Sequence, residues 1–205
     1  MSLSECVIAS GNAGKLKEFK QLFAGTNIAI HPQSQFDVPE AIEDGLSFIE
    51  NAIIKARNAA SVTGLPALAD DSGLEVDALD GQPGIRSARF SEDYPEGASD
   101  TNNNDKLLGL LADVDEERRS ARFVCALAFL RHAEDPNPVV SVGNWQGIVL
   151  REPQGDGGFG YDPLFFDPTL GASASSLPPE QKNRVSHRAR ALAQLREMLQ
   201  QQGIM

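Results

Sequence analysis

Phe123-Val124-Cys125-Ala126-Leu127-Ala128-Phe129-Leu130 is the stretch that decides the fold class. Successive strand residues face opposite ways, so Phe123, Cys125, Leu127 and Phe129 share one face and Val124, Ala126, Ala128 and Leu130 the other. Both faces are apolar, as in a central strand covered on each side. Covering layers are at hand. Around residues 46–62 the apolar positions Leu46, Ile49, Ala52, Ile53, Ala56 and Ala60 recur at helical spacing, with Glu43 and Asp44 ahead of them and Gly64 as a stop. Ala189, Leu192, Leu195 and Leu199 line one face of a final helix. Near the start, the strand Cys6-Val7-Ile8-Ala9 enters a polar turn, and Leu16, Phe19, Leu22 and Phe23 then follow at helical spacing. Residues 139–150 read as one or two more strands around Gly143 and Gly147, after a turn at Asp135-Pro136-Asn137-Pro138. Strands interleaved with three or four helices make an α/β or α+β protein. No linker or internal repeat divides residues 1–205, so one domain is expected.

Composition narrows the function. The 205 residues are 41% hydrophobic and carry a formal net charge of -11, with a sequence pI near 4.7. Nucleic-acid surfaces draw their affinity from Lys and Arg that neutralise phosphates, so such a partner is not expected. An anionic substrate would need a local cluster of cations. Cys6 and Cys125, the two cysteines, both lie in apolar stretches and read as core residues of a reduced protein. No apolar run reaches the ~20 residues of a spanning helix, and the first residues lack a signal-peptide pattern. A cytoplasmic protein without a membrane partner is expected, and no weight rests on Met1, Ser2 and Leu3.

Four stretches carry the chemistry. Ser10-Gly11-Asn12-Ala13-Gly14-Lys15 joins a strand to a helix, where backbone N–H groups, the helix dipole and a lysine can cradle phosphate. Its spacing and Leu16 exclude a Walker A loop, and a plain turn is the alternative. Asp70-Asp71 at the end of an apolar strand suits a hard divalent cation, with Glu43 a third acid, against the alternative of a solvated Asp-Ser-Gly turn. Phe159-Gly160-Tyr161-Asp162 offers two aromatic rings for purine stacking, or else a tight corner or bulge. Lys182, Ser186, His187 and Arg188 stand where a loop enters the last helix, either as converging donors or as a solvated helix start.

In order and spacing these stretches, together with Phe48-Ile49-Glu50-Asn51-Ala52, Ala69-Asp70-Asp71-Ser72-Gly73-Leu74, Pro83-Gly84-Ile85-Arg86-Ser87-Ala88-Arg89 and Gly157-Gly158-Phe159-Gly160-Tyr161-Asp162-Pro163, resemble the motif series of the inosine/xanthosine triphosphate pyrophosphatase family. The resemblance spans the chain from Val7 to the last helix. It implies an α/β fold with a mixed twisted sheet flanked by helices, two lobes with a nucleotide cleft between them, a homodimer, and a magnesium-dependent cleavage of deaminated purine triphosphates such as ITP, dITP and XTP to the monophosphate and pyrophosphate. By the same resemblance Ser10, Gly11, Asn12, Ala13, Gly14, Lys15 and Lys55 would hold the triphosphate. Asp71 would be the catalytic, metal-linked residue, with Asp70 and Glu43 assisting magnesium. Ser72, Phe159, Gly160, Tyr161, Asp162, Lys182, His187 and Arg188 would shape the sugar and base pocket. The match departs at Gly171-Ala172-Ser173-Ala174-Ser175-Ser176, where relatives commonly show Gly-Lys-Thr and then a glutamate. A nucleotide sensor that does not turn over is the rival from another class, and a kinase is disfavoured by the absent Walker pattern.

Overall fold

The computed structural model describes residues 3–11, 15, 16, 19, 20 and 23–205. Seven strands form one sheet in the order β2-β1-β3-β4-β5-β6-β7. They are β1 (Glu5–Ile8), β2 (Ala29–Pro32), β3 (Ala67–Val76), β4 (Ser120–Leu130), β5 (Val139–Val149), β6 (Phe165–Asp167) and β7 (Ala172–Ser173). The sheet is mixed: β1 runs parallel to β2 and β3, whereas β5, β6 and β7 pair antiparallel in turn. The α/β class read from the sequence therefore holds, and β4 lies at the middle of the sheet with Phe123 to Leu130 all buried. In place of one or two strands over 139–150 there is a single strand, Val139–Val149, through both glycines. Gly147 lets β6 approach, since a Cβ there would stand 2.5 Å from the Phe165 ring and the Phe166 carbonyl.

The chain divides into two compact units, each with a core of its own. The first comprises Met1–Asp71, Cys125–Gly143 and Arg188–Met205. In it Cys6, Ile8, Phe19, Leu68, Leu127 and Phe129 pack with Leu195 and Leu199. Helices α1 (Phe48–Thr63) and α4 (His187–Gln201) belong to this unit, the latter beginning one residue before it, and Lys15, Leu16, Phe19 and Lys20 are helical as well. The second unit, Ser72–Val124 and Asn144–His187, gathers Leu74, Leu107, Phe123, Trp145, Tyr161 and Phe165. It holds α2 (Asp100–Leu110) and α3 (Pro179–Val185). Both cysteines are buried and neither is in a disulfide, and burial pushes the Cys6 thiol far above its ordinary range, so it serves as core and not as a reagent.

Local chemistry explains how α1 starts. The Ser47 hydroxyl accepts from Glu50 N–H at 3.2 Å, and Glu50 Oε2 accepts from Leu46 N–H at 2.9 Å and from the Ser47 hydroxyl at 2.8 Å, a capping box whose glutamate reaches the N–H one residue before the N-cap. This box places the first helical residue at Phe48, two residues later than the spacing from Leu46 predicts. Leu46 consequently lies outside the helix, almost fully exposed, and Ile49 is also exposed, while Phe48, Asn51, Ala52, Ala56, Ala59 and Ala60 are buried. Gly64 closes the helix in the left-handed conformation at φ 69°, as read.

Candidate active site

Asp70 and Asp71 lie inside β3 and not at its end. The strand continues through Ser72 and Gly73 to Val76 because Gly73 admits the turn beyond it: a Cβ there would meet the Ser87 hydroxyl at 2.3 Å and the Gly84 carbonyl at 2.5 Å. Both aspartates are buried, Asp70 at 2% and Asp71 at 8% exposure, which rules out the solvated acidic turn. Two adjacent carboxylates in a strand interior are costly unless each is paired.

Each is. Lys15 Nζ stands 2.7 Å from Asp70 Oδ2, and Arg188 Nε lies 3.7 Å from the same oxygen. On the neighbouring residue, Lys55 Nζ donates to Asp71 Oδ1 at 2.8 Å and to Glu43 Oε2 at 3.0 Å. Three cations thus face three carboxylates within the first unit. This is the local positive charge that the acidic composition demanded, and it arrives already matched by acids.

The aspartates differ in proton affinity. Burial by itself would raise Asp70, yet Lys15, Arg188 and Lys55 together hold its carboxyl well below the usual carboxylate range. Burial pushes Asp71 up, Lys55 draws it back, and the charges of Glu43 and Asp70 raise it again, leaving it above its ordinary value. Lys55, despite burial that disfavours its charge, is held above the ordinary lysine value by Asp71, Asp70 and Glu43. One neighbour is therefore a fixed anion and the other a carboxylate with raised proton affinity.

Asn51 was not singled out from the sequence. It is buried on α1, donates to Asp71 Oδ2 at 3.4 Å and accepts from Gly45 N–H at 2.9 Å, tying the segment after Glu43 to the catalytic candidate. An asparagine inside an otherwise alanine-rich helical face was the available signal. Ser10 is half-buried and Gly11 exposed after β1, and Lys15 is helical; Asn12, Ala13 and Gly14 lie outside the described residues.

In the second unit, Phe159 and Tyr161 part company. Phe159 is 53% exposed, whereas Tyr161 is buried in the core and its hydroxyl donates to Ser87 O at 2.8 Å, so only one of the two rings presents a free face. Burial also pushes the Tyr161 phenol far above its usual range. Asp162 caps the corner by accepting from Phe159 N–H at 2.8 Å and pairs with Lys182, whose Nζ lies 5.3 Å over the Phe159 ring. Lys182 sits on α3 and not in a loop. Ser72 is half-buried on β3. His187 and Arg188, at the start of α4, are buried, so the solvated helix start is excluded; His187 stacks on Phe123 at 4.8 Å between ring centroids. The resemblance assigns Arg188 to the sugar and base pocket, and its guanidinium forms an ion pair with Asp70.

The atypical loop has a local purpose. Ser173 Oγ donates to Gln154 O at 2.8 Å, Ser175 hydrogen-bonds Gly157 O, and Gly157 N–H donates to Ser175 O at 3.2 Å. These short side chains lie against the glycine-rich turn, where a Cβ on Gly155 would already stand 2.6 Å from Ser176 Oγ.

The site is thus a pair of adjacent buried aspartates on a mixed α/β sheet, each paired with a lysine. The sequence model of the Ham1 family matches residues 6–198, and the chain belongs to that family. A dITP/XTP pyrophosphatase of Thioalkalivibrio sulfidiphilus is 56% identical over 194 residues, covering 95% of this chain and 97% of its own. Another dITP/XTP pyrophosphatase, from Shigella flexneri, is 53% identical over 197 residues, 96% of this chain and 98% of its own. Among solved structures, a HAM1 protein from Coxiella burnetii superposes with a TM-score of 0.91 at 45% identity, covering 97% of this chain and 100% of that one.

Proposed function

We propose that this protein hydrolyses deaminated purine nucleoside triphosphates, dITP, ITP and XTP, to the monophosphate and pyrophosphate, as the names of its relatives suggest. The observation that carries the reading is Asp71: a buried carboxylate of raised proton affinity, hydrogen-bonded to Lys55 and Asn51, beside an Asp70 kept anionic by Lys15 and Arg188. Asp71 takes the proton of a water that attacks the α-phosphorus in line, and pyrophosphate leaves. Raised proton affinity suits this work, because a general base is most effective when its pKa approaches the working pH. Lys55 and Lys15 bind and orient the triphosphate, with Ser10, Gly11, Asn12, Ala13 and Gly14 completing the cradle, and their charge stabilises what spreads over the phosphoryl oxygens.

The cofactor is magnesium. Among the described residues no three acidic, histidine or cysteine side chains form a ready-made metal cage, and magnesium needs none, since one or two carboxylates with waters and phosphates suffice. The donor set fits: Glu43 and Asp71 share Lys55, and with three cations facing three carboxylates a polyanionic substrate requires further positive charge. Asp71, Asp70 and Glu43 would hold the ion, which when bound neutralises the leaving pyrophosphate and acidifies water.

Phe159 offers the stacking face for the base, and Ser72, Gly160, Tyr161, Asp162, Lys182, His187 and Arg188 complete the sugar and base pocket. The working form is a cytoplasmic homodimer. Among the described residues no helix is long and apolar enough to cross a membrane. Incubation with ITP and magnesium, followed by separation of products, tests the reading. IMP and pyrophosphate are expected; intact ITP would indicate a sensor, and IDP with phosphate a different bond.

A further inference from the structure

Asn102-Asn103-Asn104 runs from the first turn of α2 into the second, although asparagine is a poor helix former. Three in succession need a reason. Asn103 has one in the second unit's architecture, accepting from Ser91 N–H at 2.9 Å and from its hydroxyl at 2.7 Å. Asn104 has another: its Nδ2 donates to Gly160 O at 2.9 Å. One turn earlier on the same helix face, Asp100 Oδ2 accepts from Gly160 N–H at 2.7 Å. A single residue thus has its backbone donor and its backbone acceptor both held by one helix. Gly160 is in the left-handed conformation at φ 60°, between the exposed Phe159 and the buried Tyr161. Asn104 holds it at some expense, because its own Oδ1 is buried with no hydrogen-bond partner among the described residues.

We propose that Asp100 and Asn104 are positioning residues for base selection: gripping the Gly160 main chain from both ends, they fix the direction of the Phe159 ring and the Asp162 carboxylate, and so set the preference for 6-oxo purines over adenine without touching the substrate. This rests on the reading of Phe159-Gly160-Tyr161-Asp162 as part of the base pocket. The two hydrogen bonds have opposite polarity. Position 104 must donate and position 100 must accept, so the isosteric changes Asn104→Asp and Asp100→Asn have different consequences.

The test uses the full chain with magnesium and measures kcat and KM for ITP and ATP on wild type, Asn104→Asp, Asp100→Asn and Asp100→Ala. Losing the donor in Asn104→Asp raises KM for ITP about tenfold, with kcat changed by less than about threefold, and shrinks the ITP to ATP efficiency ratio by a similar factor. Asp100→Ala behaves alike, and Asp100→Asn, which keeps an oxygen acceptor, stays within about threefold of wild type. Deuterium exchange at the Gly160 amide accelerates in Asp100→Ala and not in Asp100→Asn. Should Asn104→Asp fail to fold, Asn104→Ala replaces it with the same expectation. An unchanged ITP to ATP ratio in Asn104→Asp and Asp100→Ala overturns the inference, as does an Asp100→Asn variant as impaired as Asp100→Ala. A wild type that releases no IMP from ITP would instead refute the functional reading itself.

Discussion

Lys55 Nζ lies 2.8 Å from Asp71 Oδ1, and the same ammonium reaches Glu43, so one lysine already occupies the carboxylates that a divalent cation would claim. The pair is partly exposed at the lysine and largely buried at the aspartate. A buried carboxylate keeps its geometry when its charge is removed by an isosteric amide, which separates its chemical from its structural role.

Asp71→Asn is expected to fold and to bind nucleotide, and to lose at least ~100-fold in kcat, the usual scale of a general base. Steady-state kinetics with ITP, with circular dichroism as the folding control, checks this. Near wild-type turnover would remove Asp71 from catalysis.

Lys15→Ala is expected to act twice. It withdraws the nearest cation from the buried Asp70, leaving Arg188 and Lys55, and lowers stability by about 1–3 kcal/mol. It also raises KM for ITP and ATP by the same factor, since a phosphate contact does not read the base. Thermal denaturation and a two-substrate comparison test both halves, and a strong change in the ITP to ATP ratio would move Lys15 out of the phosphate site.

The glycines of the Phe159 corner make a graded pair. Gly158 has φ 76° and a Cβ there would stand 2.2 Å from Asp162 Oδ2, which is held by Lys182; Gly160 has φ 60° but open space around its Cβ position. Gly160→Ala is expected to cost the ~1–2 kcal/mol of a left-handed alanine, and Gly158→Ala clearly more, with a larger rise in KM for ITP. Melting temperatures in the reverse order would contradict the geometry.

Away from the site, Asp135 accepts from Arg131 Nε at 2.8 Å and from the backbone N–H groups of Arg131 and Asn137 at 2.9 and 3.0 Å. The Arg131 hydrogen bond holds its carboxyl well below the usual range against the opposing effect of burial. A carboxyl lowered by folding stabilises fully above its unfolded pKa of ~3.9, and the contribution fades as pH falls below that value towards the folded one. Asp135→Asn should therefore melt lower than wild type at pH 7, with the gap closing progressively below about pH 4. A gap independent of pH would show that the charge is not what stabilises the loop.

Much of this was legible in the sequence. Alternating apolar faces at Phe123 to Leu130 placed β4 at the sheet centre, and the ordered motifs led to the family. What failed were local boundaries set by side-chain geometry. Ser47 and Glu50 close a capping box that moves the helix start past Leu46, and Gly73 lets β3 run on through Asp70 and Asp71 where an Asp-Ser-Gly string reads as a turn. Pairings between residues distant in sequence were invisible: spacing does not show that Lys15 and Arg188 converge on Asp70, or that Asp100 and Asn104 hold Gly160.

On the proposed reaction, water is delivered to the α-phosphorus. Hydrolysis of ITP by the magnesium-loaded protein in oxygen-18 water, with mass spectrometry of both products, tests it most directly. One heavy oxygen in IMP and none in pyrophosphate are expected. Heavy oxygen in the pyrophosphate, or release of IDP and labelled phosphate, would contradict it.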